Sequence, residues 1–375
     1  MKRILSVVFL SCACYVVFAQ SSLTMPPSGD NQKASVTQWI GPVSVTINYS
    51  SPDVHGPNGE DRTGKIWGEL VHYGFIDQGF GPSKAAPWRA GANENTTITF
   101  SHDVKVNGKD LKAGTYGLFL DVEKQGSWKW IFSKNSNSWG SYFYDEREDA
   151  LRAETQPEDG AYTEYLTFGF DDRKANSAVA FLQWENKRVP FKIEVPNVND
   201  LYVAIWRDEL RGDKGFDYRN LSAAAQFCVR NKMNLEDALR WADMAINTPF
   251  FGREEFSTLQ TKAMVLSAMG NSTEADILMA KAIKHPTATA MNIHQYGRML
   301  LNEGKNEKAL EVFKLNRERN PQDTFTTYVG LARGYTAIGD KKNAIKNWET
   351  AIKNLPEDQK GNLQVYEAEL KKLKG

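Results

Sequence analysis

The chain has 375 residues, a length that suits two domains. Its 46 basic and 46 acidic residues balance, so charge points to neither nucleic acid nor an anionic membrane as partner. A 41% hydrophobic and 11% aromatic content is ample for packed cores.

Residues 1–19 read as a signal peptide: Lys2 and Arg3, an apolar run from Ile4 to Phe18, and Val17-Phe18-Ala19 as a small-residue cleavage site. The sequence before Cys12 and Cys14 fits a lipidation signal poorly, so a periplasmic or secreted protein is expected rather than a lipoprotein. Cleavage removes both of these cysteines and leaves Cys228, so a mature chain from Gln20 can form no internal disulfide. No later apolar run approaches the ~20 residues of a membrane helix, so no integral membrane segment is expected after signal removal. Residues 20–32 read as a flexible N-terminal segment.

From about 33 to 196 the apolar period is two. VSVTINYS sets Val43, Val45, Ile47 and Tyr49 on one face and polar residues on the other, a strand with one wet side. DVKVNGKDL holds Asn107-Gly108 between two short alternating runs, the strongest hairpin signal in the chain. TYGLFLDV, WKWIFS, YTEYLTFGF, SAVAFLQWE and VPFKIEV follow as strands, while Asp145 to Leu151 reads as a loop or single helical turn and Asp171-Asp172-Arg173 as a turn. Nine or ten short strands predict an antiparallel β-sandwich or jelly-roll-like domain. Residues 197–216 read as a connecting helix.

From 217 to 375 the period becomes 3.6 and repeats. Gly297, Ala309, Phe313 and Pro321 in one unit, and Leu331, Ala332, Tyr335, Gly339, Ala344, Trp348, Ala351 and Pro356 in the next, fall at the spacing of the tetratricopeptide helix–turn–helix repeat. Residues 256–286 make a looser copy and 219–249 a degenerate one, with Gln359 to Lys374 as a terminal cap. An α-helical tetratricopeptide-like solenoid is therefore expected, offering a concave surface to a protein or peptide partner.

The N-terminal half also carries a recognisable set of segments. SPDVHGPNGEDRTGKIWGELVHYG, PWRAGANENTTITFSHDVKVNGKDLKAGTYGLF and WKWIFSKNSNSWGSYFYDEREDALR resemble, in order, the exported bacterial family called domain of unknown function 2911. The resemblance implies export and a β-rich domain often followed by helical repeats, and it implies no activity. The sequence departs from the family pattern at Ala90, where a threonine is expected, and in an added segment, Ile76 to Ala86, that could form a flap over Trp88 to Glu94.

Chemistry is sparse. The five histidines show no ligand spacing with one another or with cysteine, so no metal or other cofactor is expected. There is no Gly-x-Ser-x-Gly elbow and no phosphate loop, hence no catalytic assignment. Cys228 sits in the apolar helix AAAQFCVRN, as a buried small hydrophobe would. Acidic clusters such as Glu146/Glu148/Asp149 read as solvated loops. What remains is an aromatic and polar constellation: Trp67, Tyr73, Trp88, Arg89, Asn93, Glu94, Trp139 and Tyr142, with Arg152 near it. Arg89 could anchor a carboxylate or phosphate, Asn93 and Glu94 could hold hydroxyls, and the rings could stack on a sugar. The same residues could equally tie a loop, with Arg89 paired to Glu94. The expected function is an exported, non-catalytic binding protein: a small polar, glycan or envelope ligand on the β-domain and a protein partner on the repeats. A hydrolase using Arg89 and Glu94, and a β-domain serving only as spacer, are the rivals.

Overall fold

The computed structural model describes residues 31–375; the signal-peptide expectation falls outside them. The chain divides into two compact units, one ending at Val198 and the other beginning at Asn199.

Among the described residues the first unit contains ten antiparallel strands in two sheets. β1 (Gln32–Ile40), β2 (Val43–Ser51), β3 (Thr97–Phe100), β6 (Gly114–Asp121), β7 (Trp128–Ser133) and β8 (Asp149–Thr155) form one, in that order. β5 (Lys109–Leu111), β4 (Val104–Val106), β10 (Ser177–Glu194) and β9 (Glu158–Lys174) form the other. The alternation read in the sequence sets the inward faces: Val43, Val45, Ile47, Ile98 and Phe100 are all buried. Asn107 and Gly108 both take positive φ, 46° and 80°, as the two-residue hairpin between β4 and β5 requires. Rings from the two sheets interlock in a shared core, with Trp130 5.0 Å and Phe132 5.7 Å from Phe191 and Tyr49 4.9 Å from Phe168 between ring centres.

Three expectations are corrected. SAVAFLQWE and VPFKIEV are one strand, β10, whose pairing with β9 slips around Glu185; that residue takes a φ of 51°, so a bulge rather than a turn separates the two runs. Asp171 and Asp172 lie inside β9, and the turn falls at residues 175–176. In the 145–151 stretch Glu146–Glu148 form the single helical turn that was one of its two readings, but Asp149 to Leu151 already belong to β8.

The second unit is helical. α1 (Val198–Glu209) buries Val203 against Leu221, Ala225 and Cys228 of α2 (Tyr218–Asn231). Four antiparallel hairpins follow: α2 with α3 (Leu235–Asn247), α4 (Phe256–Ala268) with α5 (Ser272–Ala282), α6 (Ala290–Asn302) with α7 (Asn306–Arg319), and α8 (Thr326–Ala337) with α9 (Lys341–Lys353). α10 (Leu363–Lys374) packs on α9 through Tyr366 and Trp348, the capping role expected of it. This is the tetratricopeptide-like architecture that the repeat predicts, and its small residues explain why. Phe313 of α7 is fully buried between α6 and α8; a Cβ on Gly297 would lie 2.3 Å from its ring, and one on Gly330 2.6 Å. Glycine at those points is what lets three helices close around one ring.

Candidate functional site

The stretch Trp88 to Thr96 leads into β3 and bonds to its two neighbours in the first sheet, β2 and β6. Trp88 exchanges backbone hydrogen bonds with Leu120 (3.1 and 2.8 Å), which fixes its ring inward. It stacks on Trp184 at 6.2 Å and meets the edge of Trp67 at 5.7 Å, while Trp67 also lies 5.1 Å from Trp128. The two tryptophans read as possible ligand platforms thus serve as platforms for other indoles. Tyr73 donates its hydroxyl to the Trp67 carbonyl at 3.1 Å and lays its ring over Gly68. Of the three tryptophans in the constellation, Trp139 alone offers a largely open ring, 51% exposed.

Arg89 and Glu94 do not pair. Arg89 donates to the carbonyl of Asn93 at 2.7 Å and lies over the Tyr142 ring at 5.0 Å. Gly140 makes room for it: a Cβ there would lie 2.2 Å from the guanidinium carbon. Glu94 instead reaches Lys33 of β1 at 2.7 Å and accepts from Ser50 at 3.4 Å. Lys33 holds the Glu94 carboxyl below its usual range, the opposite of what a general acid at neutral pH requires. Around them, Ala90 and Asn93 take positive φ (49° and 57°), and Thr96 donates to the Ala90 carbonyl at 3.0 Å. The loop is a tied structure in which Arg89, Glu94 and Thr96 each have a local partner, while the Asn95 side-chain oxygen is buried without one.

The added segment 76–86 is not a free flap. Ile76 and Ala86 exchange backbone bonds at 3.1 and 2.8 Å, Ser83 donates to the Tyr142 carbonyl at 3.1 Å, and Phe80 meets Tyr142 edge-on at 5.8 Å. It forms one wall of a cavity of about 610 Å³ whose other walls include Phe75, Phe143, Tyr144 and Arg152. Behind Arg152 lies a triangle that sequence reasoning missed in part. Tyr144 donates to Asp149 at 2.7 Å, Arg152 donates to the same carboxylate oxygen at 2.6 Å, and Arg152 also reaches the Tyr144 hydroxyl at 3.0 Å. Asp149 was expected in a solvated loop, yet its side chain is only 9% exposed. Burial raises its carboxyl, and burial together with Asp149 raises the Tyr144 hydroxyl.

The helical unit holds a larger cleft, about 870 Å³, between its second and third hairpins. α2 packs on α4 and α6 on α8, but α4 and α6 make no comparable approach, and neither do α5 and α6. Where α6 meets α8 the contact carries glycine; where α4 faces α6 the cleft is lined by Gln260, Met264, Gln295 and Met299, above a core that Tyr296 shares with Leu259 and Ala263. Met279 forms part of its floor. At its rim Asp276 pairs with Lys308 at 2.7 Å and Glu303 with Lys305 at 2.8 Å, while Lys232 is in no ion pair among the described residues. The opening therefore presents thioether, aromatic and amide groups with one unpaired cation at its rim.

Burial pushes the Cys228 thiol up to about 11, which keeps it protonated and inert. His72 donates its Nδ1–H to the Gly74 carbonyl at 3.0 Å, and burial lowers its pKa. Among the described residues no group of three or more His, Cys, Asp or Glu side chains is placed to hold a metal ion, and no helix is long and apolar enough to cross a membrane.

No curated protein matches the chain. Among solved structures it is similar to MamA, residues 41 to the end, from Desulfovibrio magneticus RS-1, at 22% identity over 44% of this chain and 94% of that one, TM-score 0.29. It is also similar to YrrB, described as a TPR protein with an unusual peptide-binding site, at 20% identity over 43% of this chain and 80% of that one, TM-score 0.30. Residues 31–193, nearly the whole β-unit, match the family model described as protein of unknown function DUF2911. The segments that suggested that family in the sequence lie inside this match, so the β-unit carries the DUF2911 pattern that the resemblance implied.

Proposed function

We propose that the protein is an exported, non-catalytic binding protein whose helical unit takes an extended apolar segment of a partner into the cleft between α4 and α6. The observation that carries this reading is the cleft itself: a break in the regular helix-to-helix spacing, above a core that the second and third hairpins still share, about 870 Å³ in volume and lined with methionine. Methionine is flexible and polarisable and adapts to varied apolar side chains. A solenoid built for shape alone would gain by closing that gap, since buried apolar contact stabilises each helix. Export rests on the N-terminal segment read above.

The β-unit supports a second reading, a small polar ligand in the cavity beside Phe143 and Arg152. That cavity combines aromatic walls with a few convergent polar groups, the usual make-up of a ligand pocket. The hydrolase reading loses its pair, because Arg89 and Glu94 have separate partners.

Ser267 lines the cleft and is exposed on α4, so Ser267→Trp fills the cleft without touching the core. The full chain, immobilised, is expected to enrich apolar residues from an end-blocked random hexapeptide library, and Ser267→Trp to capture about tenfold less at an unchanged Tm, a difference of ~1.4 kcal/mol. No apolar enrichment by the parent, or equal capture by the variant, would overturn the reading.

A further inference from the structure

α6 has a second side. Gln295 and Met299 face the cleft toward α4, while His294 faces α8, where its Nδ1 sits 3.1 Å from the place a Cβ on Gly330 would occupy. Arg298 follows Gly297 directly, and Arg333 of α8 follows Ala332 directly; Gly297 and Ala332 are the small residues at matching positions of the two units. The two arginines are thus repeat-equivalent, on adjacent first helices.

Neither has an anionic partner among the described residues. Arg333 is half-buried, its Nε is wholly buried with no hydrogen-bond partner, and its guanidinium lies 6.0 Å over the Trp348 ring. Burial and the neighbouring Arg298 both act against its charge. The carboxylates nearest at hand are in use: Glu369 of α10 pairs with Lys372 at 2.9 Å, and Asp323 accepts from the backbone of Thr327 at 2.8 Å and Phe325 at 3.2 Å. His294 adds no positive charge at neutral pH. Two like charges at equivalent places on adjacent helices, one of them partly desolvated, are unfavourable unless an anion joins them. A planar carboxylate matches the guanidinium fork.

We infer that Arg298 and Arg333 form a subsite for an acidic side chain of the same partner segment whose apolar residue fills the methionine-lined cleft. This rests on the cleft reading and adds the spacing. The cleft and the arginine pair flank one helix, and neighbouring helices lie ~8–10 Å apart. An extended chain advances ~3.3 Å per residue. The acidic residue therefore stands about three residues from the apolar anchor. An extended segment with that pattern satisfies both sides of α6 at once.

The test uses the full-length chain and an end-blocked hexapeptide library with a fixed leucine, so that no terminal carboxylate can substitute for a side chain. The bound pool is expected to enrich Asp or Glu about tenfold at two to four residues from the leucine, the scale of one charge-assisted hydrogen bond. Arg298→Gln, an exposed position where folding is not at issue, and the Arg298→Gln/Arg333→Gln pair should each lose the acidic preference. Both should keep leucine-dependent capture. Leucine-dependent capture without acidic enrichment, or an acidic preference that survives in both variants, overturns the inference and leaves the cleft reading standing. If capture does not depend on leucine at all, both fall.

Discussion

Trp88→Ala is expected to destabilise the β-unit by about 3–5 kcal/mol, whereas Glu94→Gln costs under about 1 kcal/mol. Trp88 is 8% exposed, stacks on Trp184, and meets Trp67 edge-on, so truncation removes an aromatic pair on two sides and leaves a cavity in a core that cannot collapse into it. The Glu94–Lys33 pair joins groups 42% and 69% exposed, where solvent screens most of the attraction. Hydrogen exchange of the β6 amides, which lie in the ladder that Trp88 joins through Leu120, reads both effects. Comparable deprotection in the two variants would contradict the view of this loop as a structural tie hung on a tryptophan anchor.

The helical unit is expected to lose about 3 kcal/mol of stability between pH 6.5 and pH 4 through His294 alone. His294 is 6% exposed, its ring packs 5.6 Å from Phe313, and burial, with Arg333 and Arg298 nearby, brings its pKa down to about 4. In the unfolded chain the imidazole takes a proton below about 6.5; in the folded unit it does so only near 4. The unfolded state therefore binds more protons across that window, so stability is whole above pH 6.5 and falls as the pH drops toward 4. His294→Phe keeps the ring contact and removes the titration, so its stability should be flatter over the same range. Denaturant titration of parent and variant at pH 7 and pH 4.5 measures the difference; parallel losses in both would show that His294 is not the group responsible.

Much of the fold is legible because it rests on local periodicity. Asn107-Gly108, Ile98 and Phe100 need only their neighbours to be interpreted, and the four hairpins follow from small residues recurring at fixed spacing. β1 carries little strand signal because QKASVTQWI lies at the sheet edge, with only Ile40 fully buried and Trp39 62% exposed. β10 read as two strands because the Glu185 bulge looks in sequence like the polar gap of a turn.

The candidate site was less legible, for a physical reason: its contacts are long-range. Arg89 and Glu94 look like a pair when only the loop is in view, but Lys33 comes from β1 and Tyr142 from beyond β7. Asp149 looks like one of several loop carboxylates until folding places Tyr144 and Arg152 around it. The equivalence of Arg298 and Arg333 can be read from the repeat itself; that no carboxylate reaches them requires the packing of α6, α8 and α10.

The central claim is that the break between α4 and α6 is a binding cleft, and methionine-methyl NMR tests it most directly. Met264, Met279 and Met299 line the cleft, while Met291, 49% exposed, does not. On titration of the full chain with the peptide pool eluted from the library, the methyl signals of Met264, Met279 and Met299 should shift together while that of Met291 stays in place. Binding that leaves those three signals unmoved, or moves Met291 instead, would contradict the account.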